Sequence, residues 1–140
     1  MFERLKIELN TARMMGSAEI EIWAEDGKLH YKKDLFSTEI KPVEFNPDGT
    51  AHFPSDDSNG VSEVSVEDFS KKMELLHIEG WKKNYEPEGY MVLDGESWSL
   101  RYETEEGKPI IVSGENAYPK EWKKLIRYIR SIVGDTGILK

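Results

Sequence analysis

Apolar and polar residues alternate along the first third of the chain, which is typical of strands that bury one side in a core. Asp26-Gly27 lies in the middle of the segment 18-AEIEIWAEDGKLHYKK-33. This dipeptide suits a two-residue turn, because both central positions of such a turn need positive φ. Pairing outward from this turn collects apolar residues on one face and sets opposite charges around an aromatic pair on the other. The sequence therefore predicts a β-hairpin with a defined register. Its expected cross-strand pairs are Glu25–Lys28, Ala24–Leu29, Trp23–His30, Ile22–Tyr31 and Glu21–Lys32.

Two further strands and a long loop are predicted around this hairpin. Residues 5–9 alternate between apolar and charged side chains and indicate a first strand. Residues 43–45 alternate in the same way, and Pro42 assigns that strand to a sheet edge or a bulge because proline cannot donate to the ladder. The segment 46-NPDGTAHFPSDDSNG-60 is rich in proline, glycine, Asp and Asn, so it is predicted to be a loop.

Helical spacing begins after this loop, at Ser65. The Ser65 hydroxyl can cap the first turn of a helix, and Asp68 lies where a carboxylate favours the helix dipole. Gly80 is expected to end this helix. The apolar residues that recur at helical spacing are Val66, Phe69, Met73 and Leu76.

The next part of the chain predicts a second hairpin. Residues 98–102 alternate between apolar and polar, and the turn 105-EEG-107 suits a three-residue loop with Gly107 in the left-handed conformation. The segment 90-YMVL-93 is expected to add a strand in front of this hairpin. The pairs that the three-residue loop predicts are Tyr102–Ile110 and Leu100–Val112.

The segment 113-SGENAYPKEW-122 combines a glycine, a carboxylate, an asparagine and two large aromatics, which either a binding site or a strand-to-helix connection would explain. Pro119 is favoured at the first helical position, where its missing N–H costs nothing, and Glu121 follows in the first turn. Gly134 can close the helix. We therefore interpret the segment as the start of the last helix. The apolar stripe of that helix is Trp122, Leu125, Ile126, Ile129, Ile132 and Val133.

The same region carries a resemblance. In 94-DGESWSLRYETEEGKPIIVSGENAYPKEWKKLIRYI-129, an Asp-Gly precedes a Trp, and Ser-Gly-x-Asn-Ala-Tyr-Pro precedes a second Trp. This segment resembles the C-terminal part of small uncharacterised bacterial proteins of the kind seen in Firmicutes, and it covers about a quarter of the chain. The resemblance implies a bacterial domain type, and it assigns no activity, cofactor or catalytic residue.

Composition bounds the class of protein. The chain has 140 residues, which suits one compact domain spanning 1–140. It contains no cysteine, so a disulfide framework and a thiolate metal site are both excluded. No segment approaches the ~20 consecutive apolar residues of a membrane span, and charges interrupt the apolar residues near the N-terminus, unlike in a signal peptide. We expect a cytoplasmic protein without a membrane segment.

Charge is unevenly distributed along the chain. The net charge is −8, which disfavours nucleic-acid binding because phosphates would be repelled. Residues 119–134 nevertheless carry five Lys or Arg against one Glu, a net +4, so the other 124 residues carry −12. A solvated helix face explains these cations, and so would a contact surface for an acidic protein partner, including a second copy of the chain. The candidate partner-binding residues are Lys120, Lys124, Arg127 and Arg130.

No pattern for metal binding or covalent catalysis has the required spacing. A calcium loop aligned on Gly60 has Ser55 at its first ligand position and Val66 where a bidentate Glu is needed. The three histidines share no ligand spacing. The segment 95-GESWS-99 lacks the final glycine of a nucleophile elbow and leads into a strand. The sequence therefore predicts no metal, no cofactor and no catalytic residue.

These elements predict an α+β fold, with a mostly antiparallel sheet of about six or seven strands and two helices packed on one face. The acidic composition favours a non-enzymatic cytoplasmic interaction module, of the size and charge of immunity proteins or adaptors. The alternative is a small-ligand-binding protein or a hydrolase with a pocket near the 46–60 loop. Its candidate ligand-binding residues are Trp81, Tyr85, Tyr90, Glu115 and Asn116.

Overall fold

The computed structural model describes residues 5–13, 16–37, 44–45, 47–49, 51–52, 55–86, 96–104 and 108–134. Within them, the strands are β1 (Lys6–Arg13), β2 (Gly16–Glu25), β3 (Lys28–Ser37), β4 (Glu44–Phe45), β5 (Ala51–His52), β6 (Ser55–Val61), β7 (Asn84–Tyr85), β8 (Ser97–Glu103) and β9 (Ile110–Glu115). The helices are α1 (Val66–Leu76) and α2 (Trp122–Val133), and a short 3₁₀ helix spans Ile78–Gly80.

Seven of the described strands form one sheet, in the order β6-β3-β2-β1-β8-β9-β7. Every pairing in it is antiparallel except the parallel pairing of β7 with β9. The strands β4 and β5 pair with each other in a separate two-stranded sheet. The described part of the chain is therefore α+β with a mostly antiparallel sheet, as the sequence predicts. The predicted strand 90–93 and the predicted turn 105–107 lie outside the described residues.

Both predicted hairpin registers are confirmed. Asp26 and Gly27 have φ values of 53° and 73°, so the β2–β3 turn has positive φ at both central positions. The predicted cross-strand pairs of this hairpin all occur in the structure. The pairing of β8 with β9 also has the predicted register. Its pairs include Leu100–Val112 and Tyr102–Ile110.

The prediction of a continuous loop over 46–60 is wrong. This segment contributes β5 and β6, and β6 pairs along its length with β3 at one edge of the sheet. Its polar composition resembles a loop because an edge strand pairs on one side only and needs few apolar side chains. Gly60 fits there because the Tyr31 ring lies across it, and a Cβ atom at Gly60 would come within 2.9 Å of the Tyr31 hydroxyl oxygen.

Helix α1 begins as predicted and ends earlier. The Ser65 hydroxyl oxygen accepts a 3.0 Å hydrogen bond from the Asp68 N–H, which makes Ser65 the N-cap. The helix ends at Leu76 because His77 adopts a left-handed conformation with φ of 51°. Gly80, the predicted end of this helix, instead ends the 3₁₀ helix that follows.

Helix α2 begins later than predicted and ends where expected. Pro119 lies in a turn before the helix rather than at its first position, and its carbonyl accepts a 3.1 Å hydrogen bond from the Trp122 N–H. Glu121 consequently occupies the N-cap position instead of the first turn. Gly134 follows the last helical residue with φ of 82°, a conformation that glycine adopts without strain.

One face of the sheet is buried and the other is open. Along β1, β2 and β8 every second residue is buried, which is the alternation expected of an antiparallel sheet that is covered on one side. The residues between them are exposed or half-buried, and most are polar. The buried residues of these three strands are Ile7, Leu9, Thr11, Ala18, Ile20, Ile22, Ala24, Trp98, Leu100 and Tyr102.

The helices contribute to the same core as the buried strand residues. Trp122 of α2 packs on Trp98 of β8 with ring centroids 4.4 Å apart, so α2 lies against the buried face. Phe69 of α1 stacks on Tyr128 of α2 at 6.0 Å. This contact joins α1 to α2 and not to the sheet. The packing of both helices on one face of the sheet therefore stays a prediction. Within the described ranges, neither helix has the length and apolar content needed to cross a membrane.

Replacing the N-cap of α1 tests the helix start. Ser65→Ala should lower the free energy of unfolding by about 1 kcal/mol, because the Asp68 N–H loses its acceptor. Ser65→Asp keeps an acceptor oxygen and should restore most of the wild-type value. Urea unfolding followed by circular dichroism measures both variants. Equal stability of Ser65→Ala and the wild type would show that the cap contributes nothing.

Candidate functional site

Aromatic rings meet where β8, β7 and the start of α2 come together. Trp98 lies at the centre, and its ring centroid is 4.4 Å from that of Trp122, 6.0 Å from that of Tyr85 and 6.2 Å from that of Tyr118. Trp98 and Trp122 are buried, Tyr85 is half-buried, and Tyr118 is 40% exposed. We name these four residues the aromatic cluster.

Hydrogen bonds beside the aromatic cluster join the start of β8 to the end of β9. The Glu96 N–H donates to Asn116 Oδ1 at 2.8 Å, and the Asn116 N–H donates to the Glu96 carbonyl at 2.9 Å. The Tyr118 hydroxyl donates to Glu96 Oε1 at 2.9 Å. Asn116 has a left-handed φ of 55°, which asparagine tolerates better than most residues. These bonds direct the chain that leaves β9 toward the first turn of α2.

The indole of Trp98 requires a glycine at position 114. A Cβ atom there would lie 2.6 Å from Trp98 Nε1 and 2.8 Å from the carbonyl oxygen of Ala117. The same indole N–H donates a 2.9 Å hydrogen bond to that carbonyl, so the ring cannot move aside without leaving a polar group unpaired. Part of the segment 94–129, which carries the resemblance, therefore packs together as one unit. Its members are Trp98, Gly114, Asn116, Tyr118 and Trp122.

The residues predicted for the alternative ligand site have different surroundings. Tyr85 belongs to the aromatic cluster, and Asn116 is half-buried beside it. The indole N–H of Trp81 donates a 3.0 Å hydrogen bond to the last backbone carbonyl of α1. Glu115 is exposed at the end of β9, and Tyr90 lies outside the described residues.

The sheet order separates the two walls of the pocket predicted for that site. The strand β6, which belongs to the 46–60 segment, is at one edge of the sheet, and β7, which carries Tyr85, is at the other. Five strands lie between them. β6 and Tyr85 are therefore far apart in the sheet, and a ligand pocket near the 46–60 segment stays a prediction.

Of the basic residues predicted for partner binding, Lys124, Arg127 and Arg130 lie on the solvent side of α2, and Lys120 lies in the turn before it. All four are exposed, whereas the apolar residues of the helix are buried. Lys124 Nζ makes a 3.1 Å ion pair with Glu121 one turn earlier. Arg130 lies in the last turn, where a cation favours the helix dipole. We name Lys120, Lys124, Arg127 and Arg130 the basic stripe.

The raised pKa values of two tyrosines suit packing roles. Burial raises the pKa of Tyr102 to about 12, and the charges of Glu74 and Glu79 act in the same direction. Burial raises the pKa of Tyr128 as well, with a further contribution from Asp68. A catalytic acid or base needs a pKa near the working pH, so these phenols are poorly suited to proton transfer at neutral pH. Among the described residues, no three His, Asp or Glu side chains are grouped so that they could hold a metal ion.

The glycine beneath Trp98 can be tested against a second glycine. Gly114→Ala should lower the free energy of unfolding by about 1–3 kcal/mol, because the added methyl group overpacks the indole and a backbone carbonyl. Gly80→Ala is the matched control, since a Cβ atom there has no neighbour within 4 Å. Denaturant unfolding followed by tryptophan fluorescence compares the two. If both variants lose the same stability, the contact with Trp98 is not what requires Gly114.

Replacing Trp122 tests whether this residue belongs to the core or contacts a ligand. Its side chain is 5% exposed, so Trp122→Ala should lower the free energy of unfolding by about 3–5 kcal/mol. Lys123→Ala, at the exposed neighbouring position, should change it by no more than about 0.5 kcal/mol. A Trp122→Ala protein with wild-type stability that had lost only partner binding would assign Trp122 to a binding surface.

Comparison with known proteins assigns nothing to these features, because no protein-family model, no curated protein and no solved structure matches the chain. The resemblance of residues 94–129 stays an expectation about domain type. The basic stripe and the aromatic cluster are therefore the features that bear on function.

Proposed function

We propose that this protein is a non-enzymatic cytoplasmic interaction module whose basic stripe binds an acidic protein partner. The observation that carries the proposal is the exposure of all four stripe residues, three on the solvent side of α2 and Lys120 in the turn before it, while the other side of the helix is buried in the core. A helix packed in this way presents its charges at fixed positions, and fixed complementary charges give specificity and rapid association.

Local charge supports an acidic partner. The chain as a whole carries −8, whereas residues 119–134 carry +4. A cationic face on an acidic protein is the region where an acidic surface is attracted rather than repelled. A nucleic acid fits less well, because a long phosphate backbone would extend from the stripe over the acidic remainder of the molecule.

The aromatic cluster supports a structural role for the segment 113–122. The amide of Asn116, the hydroxyl of Tyr118 and the indole of Trp98 each have a hydrogen-bond partner within the fold. Polar groups that are engaged inside the fold are poorly placed to orient a substrate, which needs convergent groups in a concave site. The alternative of a small-ligand-binding protein or hydrolase stays a prediction, and no observation favours it over the interaction module.

Charge reversal of the basic stripe tests the proposal. Lys120 and Arg127 are the residues to change, because Lys124 already pairs with Glu121. Lys120→Glu/Arg127→Glu should leave the free energy of unfolding within about 0.5 kcal/mol per substitution, as exposed positions usually do. The same variant should lose the partners that the wild type recovers in an affinity pull-down from native cell extract, identified by mass spectrometry. Partner binding to the wild type should weaken between roughly 0.15 M and 1 M salt, as the screening length falls from ~8 Å to ~3 Å.

A second double variant controls for net charge. Lys71→Glu/Lys82→Glu makes the same change in net charge at exposed positions outside the stripe, and it should keep the wild-type partners. If both double variants recover the same partners as the wild type, the stripe is only a solvated helix face and the proposal is wrong.

A further inference from the structure

The face of the sheet opposite the core carries more negative than positive charge. On β1, β2, β3 and β8, its described charged side chains are six carboxylates and four cations, and all of them are at least partly exposed. We name this surface the open face. Its charged residues are Lys6, Glu8, Glu19, Glu21, Glu25, Lys28, Lys32, Asp34, Arg101 and Glu103.

Each cation of the open face has a carboxylate beside it, either in an ion pair or opposite it in the sheet. Lys6 Nζ lies 2.8 Å from Glu8 Oε1, and the hydrogen bond to Glu8 is the main cause of the raised pKa of Lys6. Arg101 Nη2 lies 2.9 Å from Glu103 Oε1. The two lysines of β3 face glutamates of β2 across the hairpin. Two of the six carboxylates are therefore in ion pairs, and two more face a lysine across the hairpin.

The carboxylates that remain are Glu19 and Asp34. They face each other across β2 and β3, and neither has an ion pair among the described residues. Asp34 is also in register with Asp57 of β6. Its Oδ1 atom is buried and accepts no hydrogen bond. Like charges directly opposite in a sheet are destabilising, and buried polar atoms normally have a partner, so among the described residues this row has no cation to neutralise it.

The basic stripe has the spacing to supply cations to this row. On α2, Lys124, Arg127 and Arg130 are three positions apart, so they advance by about 4.5 Å each along the helix axis. Neighbouring strands lie ~4.8 Å apart. A helix laid across the strands therefore sets successive cations over successive strands, including β2 and β3.

The open face also carries a stacked aromatic pair near the turn of the β2–β3 hairpin. The rings of Trp23 and His30 stack with centroids 5.8 Å apart, and Val61, next in register on β6, is 52% exposed. Protein interfaces concentrate binding energy in aromatic residues surrounded by polar ones. A cation can bind over the face of a tryptophan as well as beside a carboxylate. The open face thus combines the two kinds of group that a basic helix binds.

We propose that the open face of one molecule binds the basic stripe of a second copy. This inference rests on the proposed function, and it identifies the acidic partner as the chain itself. Because the stripe and the open face are different surfaces, the contact is head-to-tail, and the pair keeps one free stripe on one molecule and one free open face on the other. The assembly therefore grows with concentration instead of stopping at a closed dimer.

Two charge-reversed variants test the contact by sedimentation velocity at roughly 0.15 M salt. One reverses the stripe (Lys120→Glu/Arg127→Glu), and the other reverses the open face (Glu19→Lys/Asp34→Lys). The wild type should form larger species as its concentration rises, and each variant alone should self-associate about tenfold more weakly or not at all. An equimolar mixture of the two variants should associate again, because each supplies the surface that complements the other.

The controls separate this inference from the proposed function. Lys71→Glu/Lys82→Glu should assemble like the wild type, and circular dichroism melts show whether each variant is folded. If Asp34→Lys unfolds the protein, Glu19→Lys/Asp34→Asn takes its place. A wild type that stays monomeric at every concentration overturns the inference, as does a mixture that fails to associate or a face variant that assembles normally. None of these outcomes decides the proposed function, which depends on the pull-down with the stripe variant.

Discussion

The contact between the Trp98 indole and the bare backbone of Gly114 positions the C-terminal part of the molecule. A side chain at position 114 would meet the indole at 2.6 Å, and the indole N–H also binds the Ala117 carbonyl in the connection to α2. Trp122 then packs on the same ring at 4.4 Å. The placement of α2, and with it the direction in which the basic stripe faces, follows from one aromatic side chain that lies over one glycine.

The same arrangement occurs near the other edge of the sheet. The ring of Tyr31 on β3 covers Gly60 on β6, and a Cβ atom there would meet the hydroxyl oxygen at 2.9 Å. An aromatic residue on a neighbouring strand fills the space that a glycine leaves empty, which is a known way to stabilise glycine in a sheet. In both cases the ring comes from the strand nearer the middle of the sheet, β8 for Trp98 and β3 for Tyr31. This explains how β6, whose sequence is polar, joins a sheet whose core comes from the central strands and the helices.

Structure that depends on neighbouring residues could be predicted from the sequence. Strand pairings and hydrogen bonds between residues distant along the chain could not. The register of the first hairpin follows from an Asp-Gly turn between adjacent strands. The strands β6 and β7 lack apolar alternation, and their order is set by partners that no local pattern reveals. The bonds between Glu96 and Asn116 join residues 20 positions apart. The contact of Trp98 with Gly114 could have been predicted from the sequence, because the predicted register of β8 and β9 places this tryptophan opposite this glycine.

The arrangement of charge, more than its sum, decides which surfaces of this molecule can meet. Each copy carries −8, but charges farther apart than ~8 Å are largely screened at physiological ionic strength, so repulsion between whole molecules fades before attraction between groups in contact. Helix α2 lies against the buried face of the sheet, and the open face is on the other side. The two oppositely charged surfaces are held apart by the core of the same chain. A basic helix and an acidic row that are fixed on opposite sides of one molecule can neutralise each other only between molecules.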